Sequence, residues 1–550
     1  MIHGNRHRRA VRRGRFEYII VGAGAAGCVL ANRLSADPNV SVLLMEAGGA
    51  DRHPLVRIPA GFAKLMGSKY NWIIDTVPQP QLNNRRLFLP QGRGLGGSTS
   101  INAMLYVRGH RADYDEWREL GNEGWGYDDV LPYFKSPERN ERLVDDYHGS
   151  DGELSVADQV ARNPLSAAFV RAAQQAGIPY TPDPNGENEE GVFFHQVTQR
   201  NGWRESAATA FLRPVRSRQN LTVVTGATAT RVLLSNGRAV GVSYRRGGQG
   251  HTVHAEDEVI ISAGALNSPK LLMLSGIGPA AELRAVGIDV VHDLPGVGKN
   301  LQDQVEVYLT AETREPISYT GEDRWHRAIL HVIQWGLFKT GPATATISEA
   351  GAFLSSGEDV RSPDIQLHFQ PALVLWSEES RTPLPVRTHG FTILACNPRP
   401  RSRGEVKLAS ANPADMPLVD PNYFADREDW AVSIEGFRWA RRILEAPALA
   451  AYVKREHTPG PSVASDAQLR DYIRKFAKTD YHPVGSCKMG VDDLAVVDDQ
   501  LRVHGLEALR VIDSSIMPTI ISGNTQAPSM MIGEKGAAMI LAGKVVAVAG

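Results

Sequence analysis

An α/β fold is what the sequence predicts, and three observations carry that prediction. A buried strand near the N-terminus runs into a glycine-rich turn and a helix. A second strand ends on an acid, and two downstream segments again lead from a strand through a turn into a helix.

The first strand, residues 16–21 (FEYIIV), is a short apolar run rich in β-branched residues, as a strand buried on both faces requires. The chain then turns through Gly22, Gly24 and Gly27, spelling GxGxxG, into the helical stretch AAGCVLANRLS. The first glycine permits the tight turn, the second lets backbone approach a pyrophosphate, and the third lets helix pack on strand. The helix N-terminus offers oriented N–H groups and a positive dipole end to phosphates. A second strand is expected over 40–45, ending at Glu46, nineteen residues after Gly27. A carboxylate there can accept hydrogen bonds from both ribose hydroxyls of an adenosine. Strand, glycines, helix, strand and acid in this order predict a Rossmann-type dinucleotide site. The motif does not separate FAD from NAD, but Glu46 would repel the 2′-phosphate of NADP.

The segment LPQGRGLGGSTSINAMLYVRG (89–109) supplies a second cradle. Gly94, Gly96 and Gly97 permit close backbone approach, and Ser98 or Thr99 is placed to cap a helix that follows. Residues 259–278 (VIISAGALNSPKLLMLSGIG) read as a buried strand, a small-residue turn and a helix beginning at Ser268–Pro269. Residues 509–513 (LRVID) are a strand ending in Asp513, followed by a polar loop and a helix. An acid at the C-terminal end of a strand is where α/β folds place ligand contacts.

A chain of 550 residues exceeds one ordinary core, so several domains are expected. A formal net charge of -1 provides no global field for nucleic acid or an acidic membrane. Cys28, Cys396 and Cys487 are too scattered for a disulfide framework and lack CxxC spacing, so a reduced, cytoplasmic setting and no metal are expected. The arginine-rich residues 1–15 read as a solvated tail, without the apolar stretch of a secretory signal. No apolar run reaches the roughly 18 residues of a membrane span, and 539–549 reads as the end of a packed helix.

On these segments the sequence resembles the glucose–methanol–choline (GMC) oxidoreductases from residue 16 onward. Residues 92–115 fit the family's first signature and 264–278 its second. YHPVGSCKMG (481–490) and GNTQAPSMMIGEK (523–535) are similar to its catalytic segments. Within the family the look is nearest to choline dehydrogenases and bacterial aliphatic alcohol dehydrogenases. The resemblance implies an α/β FAD domain made of 16–155, 196–312 and 481–550, and an α+β substrate domain of 156–195 and 313–480 built on an antiparallel sheet with helices. It places Gly22, Gly24, Ala25, Ala26, Gly27, Glu46 and Ala47 on the adenosine diphosphate half of FAD, with Ala229 at the adenine. Arg93, Gly96, Gly97, Ser98, Asn102, Ala263, Gly264, Asp513, Ser514, Thr525 and Pro528 would line the pyrophosphate, ribityl chain and flavin. Where some relatives carry a flavin-linking histidine this chain has Ile101, so the FAD is expected to be noncovalent.

His482 is the expected catalytic base. An imidazole with a free nitrogen can take the hydroxyl proton as the alcohol carbon passes hydride to flavin N5. Three positions depart from the family pattern. Gln526 stands where a second His or Asn is usual, with Asn524 as the less favoured alternative. Asp480 precedes His482 by two residues, either tuning it or turned to solvent or to Lys478. LQDH is LQDQ, ending at Gln304, a change the sequence alone does not explain.

A primary alcohol of moderate size is the expected substrate, with a quinone or dye as electron acceptor, O2 as the alternative, and peripheral membrane contact possible for a quinone enzyme. Choline would need an aromatic cage, for which Trp325, Trp335, Trp376, Glu378 and Glu379 are candidates without a spacing that unites them. The competing expectations are cyanohydrin lyase chemistry, light-driven fatty acid decarboxylation with Arg399, Arg401 and Arg403 meeting the carboxylate, a flavoprotein silenced by Gln526, and a plain NAD-binding protein. A monomer or homodimer is expected.

Overall fold

The computed structural model describes residues 14–358, 360–377 and 382–549, so most of the arginine-rich tail, and Glu378 and Glu379, lie outside the described residues. Two seven-stranded sheets organise the rest. In the first, parallel strands run in the order Leu221–Thr225, Val42–Glu46, Arg15–Val21 and Gln249–Ile261, and Leu509–Val511 pairs in parallel with the last turn of Gln249–Ile261. The same long strand continues into an antiparallel arm with Arg238–Arg246 and Ala227–Ser235. The chain thus returns from its C-terminal region to complete a sheet begun by its first strand. The second strand starts at Val42, two residues later than expected, because Val40 N–H closes a turn on the Asp37 carbonyl.

This sheet is buried because its strands are continuous apolar runs, with Ile19, Ile20, Val42 and Leu44 fully enclosed. Helix Ala25–Leu34 covers one side and the C-terminal helix Gln526–Ala549 packs along it. Residues 539–549 are the end of that helix, as the sequence predicts.

The second sheet is antiparallel throughout, in the order Val453–Thr458, Val305–Thr313, Gly390–Asn397, Ile365–Gln370, Ala350–Leu354 and Gly191–Phe194. Strand Val305–Thr313 lies inside it, so the break expected after residue 312 falls at the end of this strand rather than before it. Strand alternation sends two sets of side chains to opposite faces. Val305, Val307, Leu309, Leu367, Phe369, Phe391 and Ile393 join a core with helices Pro164–Gln175 and Arg427–Glu445, where Phe369 stacks on Phe169 at 4.7 Å. Each such enclosed side chain contributes about 1.5–3 kcal/mol. Glu306, His368, Gln370, Thr392 and Leu394 point the other way, into a cavity between the two sheets. Among the described residues no helix is long and apolar enough to cross a membrane.

Candidate active site

One continuous cavity joins the nucleotide-type cradle to the polar face of the second sheet. At its first end Gly22 has φ 107°, and a Cβ there would stand 2.2 Å from the Ser262 carbonyl oxygen. A Cβ on Gly27 would stand 1.9 Å from the Gly22 carbonyl oxygen, so helix Ala25–Leu34 approaches the turn as closely as backbone allows. Gly24, by contrast, has open space around it. No side chain caps this helix, which leaves its first N–H groups for a ligand in the cavity that Gly22, Gly24, Ala25 and Ala26 line.

Glu46 closes this end beside Ala47. Its Oε2 accepts from Ala23 N at 3.0 Å and its Oε1 from Gly48 N at 2.7 Å, with Gly94 N–H as a third donor, and the carboxylate keeps acceptor capacity for a ribose hydroxyl. Burial pushes the carboxyl up, and these N–H groups pull it back. Ala229 lines the adjoining wall.

The second glycine-rich segment packs directly on the first. A Cβ on Gly97 would be 2.7 Å from Gly24 Cα, and Gly96 N donates to Ala23 O at 2.8 Å. The helix expected after Ser98 and Thr99 is only the single 3-10 turn Gly97–Ser100, and the next α-helix is Arg111–Glu119, capped by His110. Local side-chain bonds win over helix propagation here. Ser98 Oγ accepts from Gly92 N, Thr99 Oγ1 donates to Gly96 O, and Asn102 Oδ1 accepts from Met104 N. Across the cavity Asp513 Oδ2 accepts from Gly264 N and Ser268 Oγ, fixing the turn at Ala263 and Gly264 against Ser514. Gly27, Arg93, Gly96 and Pro528 are off the cavity wall; Arg93 stacks over Trp72, which is on it. Two adjacent N–H cradles with a ribose-competent acid fit a dinucleotide.

His482 sits at the other end. Its backbone is held by Asp303, whose Oδ1 accepts from His482 N at 2.8 Å and whose Oδ2 takes the hydroxyls of Thr479 and Tyr423. Burial pushes the Asp303 carboxyl up to about 6, and the Thr479 and Tyr423 hydroxyls restrain it. The residue before the histidine, Tyr481, is in the left-handed region at φ 67°, a conformation that costs about 1–3 kcal/mol and turns the chain at this point.

The imidazole has one nitrogen engaged and one facing the cavity. Nδ1 lies 2.7 Å from Gln304 Oε1 and 3.3 Å from Asp480 Oδ2. Gln304 Nε2 lies 2.9, 3.0 and 3.0 Å from the carbonyl oxygens of Pro398, Ile521 and Gly523, which share its two N–H groups, so its amide can present only oxygen to the ring. With two acceptors around it, Nδ1 carries the ring proton, and Nε2 is left as the base. Burial would raise the Asp480 carboxyl, but the charge of His482 and the contacts with His368 and His482 hold it well below the usual carboxylate range.

Asn524 and Gln526 take different places. Asn524 Nδ2 is 3.4 Å from His482 Nε2, and its Oδ1 accepts from Gln366 Nε2. Gln526 turns away, its Oε1 on Asn102 Nδ2 and its Nε2 3.1 Å from Thr198 Oγ1. The amide beside the base is therefore Asn524, not Gln526 as expected; the longer Gln526 stem reaches Asn102 and Thr198. Thr525 and Gln526 remain on the wall, at the positive end of the C-terminal helix.

Sequence reading missed Asp303 and Glu306, and named Gln304, Lys478 and Trp376 without their roles. Asp303 and Gln304 belong to a stretch paired antiparallel with the histidine segment, Gln302 and Val484 exchanging both backbone bonds, a contact no local pattern announces. Lys478 pairs with Glu306 rather than Asp480 and sits 4.9 Å over the Trp376 ring; burial brings its ammonium down to about 8. Trp376 lines the cavity, while Trp335 packs on Trp203 and Trp325 is exposed, so the three tryptophans form no cage. Arg399 is held by Asp113 and Glu116, and neither it nor Arg401 nor Arg403 reaches the cavity, which removes the expected carboxylate contact.

Two models of the GMC oxidoreductase family match this chain, the N-terminal one over residues 16–306 and the C-terminal one over 400–533. It is 47% identical to an alcohol dehydrogenase [acceptor] of Pseudomonas putida over 532 residues, 96% of each chain. It is 45% identical to an oxygen-dependent choline dehydrogenase of Pseudomonas aeruginosa over 528 residues, 94% of this chain and 93% of that one. Among solved structures it is similar to pyridoxine 4-oxidase from Mesorbium loti, with TM-score 0.87, 32% identity and coverage of 96% and 99%. It is also similar to an Aspergillus oryzae formate oxidase studied for modification of its FAD, with TM-score 0.89, 27% identity and coverage of 96% and 98%.

Proposed function

This chain belongs to the GMC oxidoreductase family of FAD-dependent enzymes acting on CH–OH groups, and from that premise we propose that it oxidises a neutral primary alcohol to the aldehyde with His482 as base. The observation that carries this reading is His482 Nε2, the imidazole nitrogen that faces the cavity beside Asn524 Nδ2, in the same cavity as the dinucleotide cradle. Noncovalent FAD, held by the residues around Gly22, Glu46, Gly97 and Asp513, supplies the hydride acceptor. Ile101 on the cavity wall offers no atom for a flavin link.

The residues divide the work. An alcohol oxygen seated between His482 Nε2 and Asn524 Nδ2 loses its proton to the first and is held by the second as negative charge develops. Gln304 keeps the proton on Nδ1, and ionised Asp480 stabilises the imidazolium that forms. Trp325, Trp335 and Trp376 do not come together as an aromatic cage, which places choline behind neutral alcohols. The likeness to an alcohol dehydrogenase [acceptor] favours a quinone or dye over O2 as final acceptor.

The direct test is anaerobic mixing in the dark with hexanol, benzyl alcohol and choline. Loss of the oxidised flavin absorbance with hexanol or benzyl alcohol is expected. An intact spectrum with every alcohol, or bleaching by choline alone, rejects this substrate class.

A second expectation concerns Gln304. Gln304→Leu removes the two N–H groups that three carbonyls share and frees the ring to rotate or change tautomer, so flavin reduction should slow about 10- to 100-fold. The alcohol concentration for half-saturation should change little. Stopped-flow reduction across a substrate series separates the two, and an unchanged limiting rate would remove Gln304 from the positioning of His482.

A further inference from the structure

Helix Trp325–Phe338 is turned inside out. Ala328, His331 and Trp335 face the protein, and only Trp335 is fully buried. The opposite side carries Ile329, Leu330, Ile333 and Leu337, flanked by Trp325 and Phe338. Their exposures of 77% for Trp325, 64% for Leu330, 70% for Leu337 and 69% for Phe338 are those of side chains standing in water. Isolated exposed apolar residues are ordinary, but a continuous stripe along one helix marks a docking surface.

The surroundings of the stripe identify what it meets. Trp335 Nε1 donates to Gly202 O at 2.6 Å, and its ring packs on Trp203. Arg57 and Lys339 stack on Trp203, and exposed Arg200 lies opposite it in an antiparallel pair. Pro342–Thr344 joins the helix to the turn Pro59–Lys64, which adds Lys64. Arg324 precedes the helix. Against these cations stand Asp323, which is exposed, Glu322, already engaged by Arg327 and His331, Asp51, paired with Arg213, and Glu205, which faces Arg57 and Arg200. The stripe therefore has a cationic collar.

We propose that this helix seats the protein on an anionic phospholipid surface, its apolar stripe in the acyl boundary and the collar at the headgroups. At 14 residues and about 1.5 Å per residue the helix is too short to span a bilayer and fits one lying in its plane. A second copy of the chain fits less well, because a two-fold contact through this patch would bring collar against collar. The turn Pro59–Lys64 also contributes Phe62 and Ala63 to the cavity wall, so docking sets this wall close to the lipid.

Flotation of the FAD-loaded full chain with vesicles tests this. Binding to phosphatidylcholine–phosphatidylglycerol vesicles is expected, weak on phosphatidylcholine alone and reduced by salt. Leu330→Ser/Leu337→Ser/Phe338→Ser should lower the bound fraction at least about tenfold while turnover of a soluble alcohol with a dye acceptor is unchanged. Should that variant not fold, Lys64→Gln/Arg200→Gln should weaken binding to the anionic vesicles alone. Failure of the wild type to float with either lipid, binding indifferent to the substitutions, or a helix-dependent dimer in sedimentation would overturn the proposal.

Discussion

His482→Ala is expected to lower the rate constant for flavin reduction by alcohol about 10²- to 10⁴-fold while the protein keeps its FAD. The magnitude is that of removing a positioned general base, about 3–5 kcal/mol of barrier at about 1.4 kcal/mol per tenfold. Retention of FAD follows from the geometry. His482 stands at the far end of the cavity from Gly22 and Glu46, and its backbone is tied to Asp303 through an N–H that alanine retains. The remaining machinery, Asn524 and the positive end of helix Gln526–Ala549, accounts for residual turnover. Anaerobic stopped-flow reduction, with flavin content read from the oxidised spectrum, checks both parts. A variant with bound FAD and an undiminished rate would show that another group takes the proton.

The nucleotide half of the site was legible in the sequence because it is built from backbone. Gly22 and Gly27 are recognisable since no other residue tolerates their contacts, Gly24 by its place in the motif, and Glu46 because a strand end places it. The strands themselves follow from apolar runs bounded by turns, whereas the return of residues 509–511 to the first sheet was implied only by the family resemblance. The chemical half was legible only in part. His482 could be read by resemblance, but what sets its proton could not. Gln304 lies 178 residues away in sequence and acts through a pairing made only on folding. A glutamine at that position is without meaning until its Nε2 is seen facing three carbonyls. Likewise, a motif fixes that Asn524 and Gln526 are near the site, but not which one turns to the base. The start of a helix at Gln526 decides that, leaving Asn524 in the preceding loop. The stripe on Trp325–Phe338 was invisible for a different reason: its apolar residues look like a core helix until the structure shows them facing water.

Gly27→Val should yield a protein that purifies without FAD and is therefore inactive, the largest effect expected outside His482. A Cβ at this position would lie 1.9 Å from the Gly22 carbonyl oxygen and 3.0 Å from its carbonyl carbon, and the two added methyls have the Ser262 hydroxyl 3.4 Å from that Cβ. The first obstacle is backbone, and the second is a hydroxyl held by its hydrogen bond to Ile512 O. Helix Ala25–Leu34 must move off the sheet, and Gly22 cannot give way, since its own positive φ and its closeness to Ser262 fix the turn. Overpacking of this kind costs about 1–3 kcal/mol, which a fold of this size can survive. The cofactor site cannot, because its N–H groups act only when the helix start stands at the Gly22–Glu46 end of the cavity. With no covalent link at Ile101, nothing else would retain the flavin during gel filtration. The wild type provides the control: acid denaturation should release all of its flavin into the filtrate. A yellow Gly27→Val protein with wild-type flavin content would mean that the pyrophosphate is held elsewhere, and a yellow precipitate from the wild type would mean that the flavin is bonded to the chain.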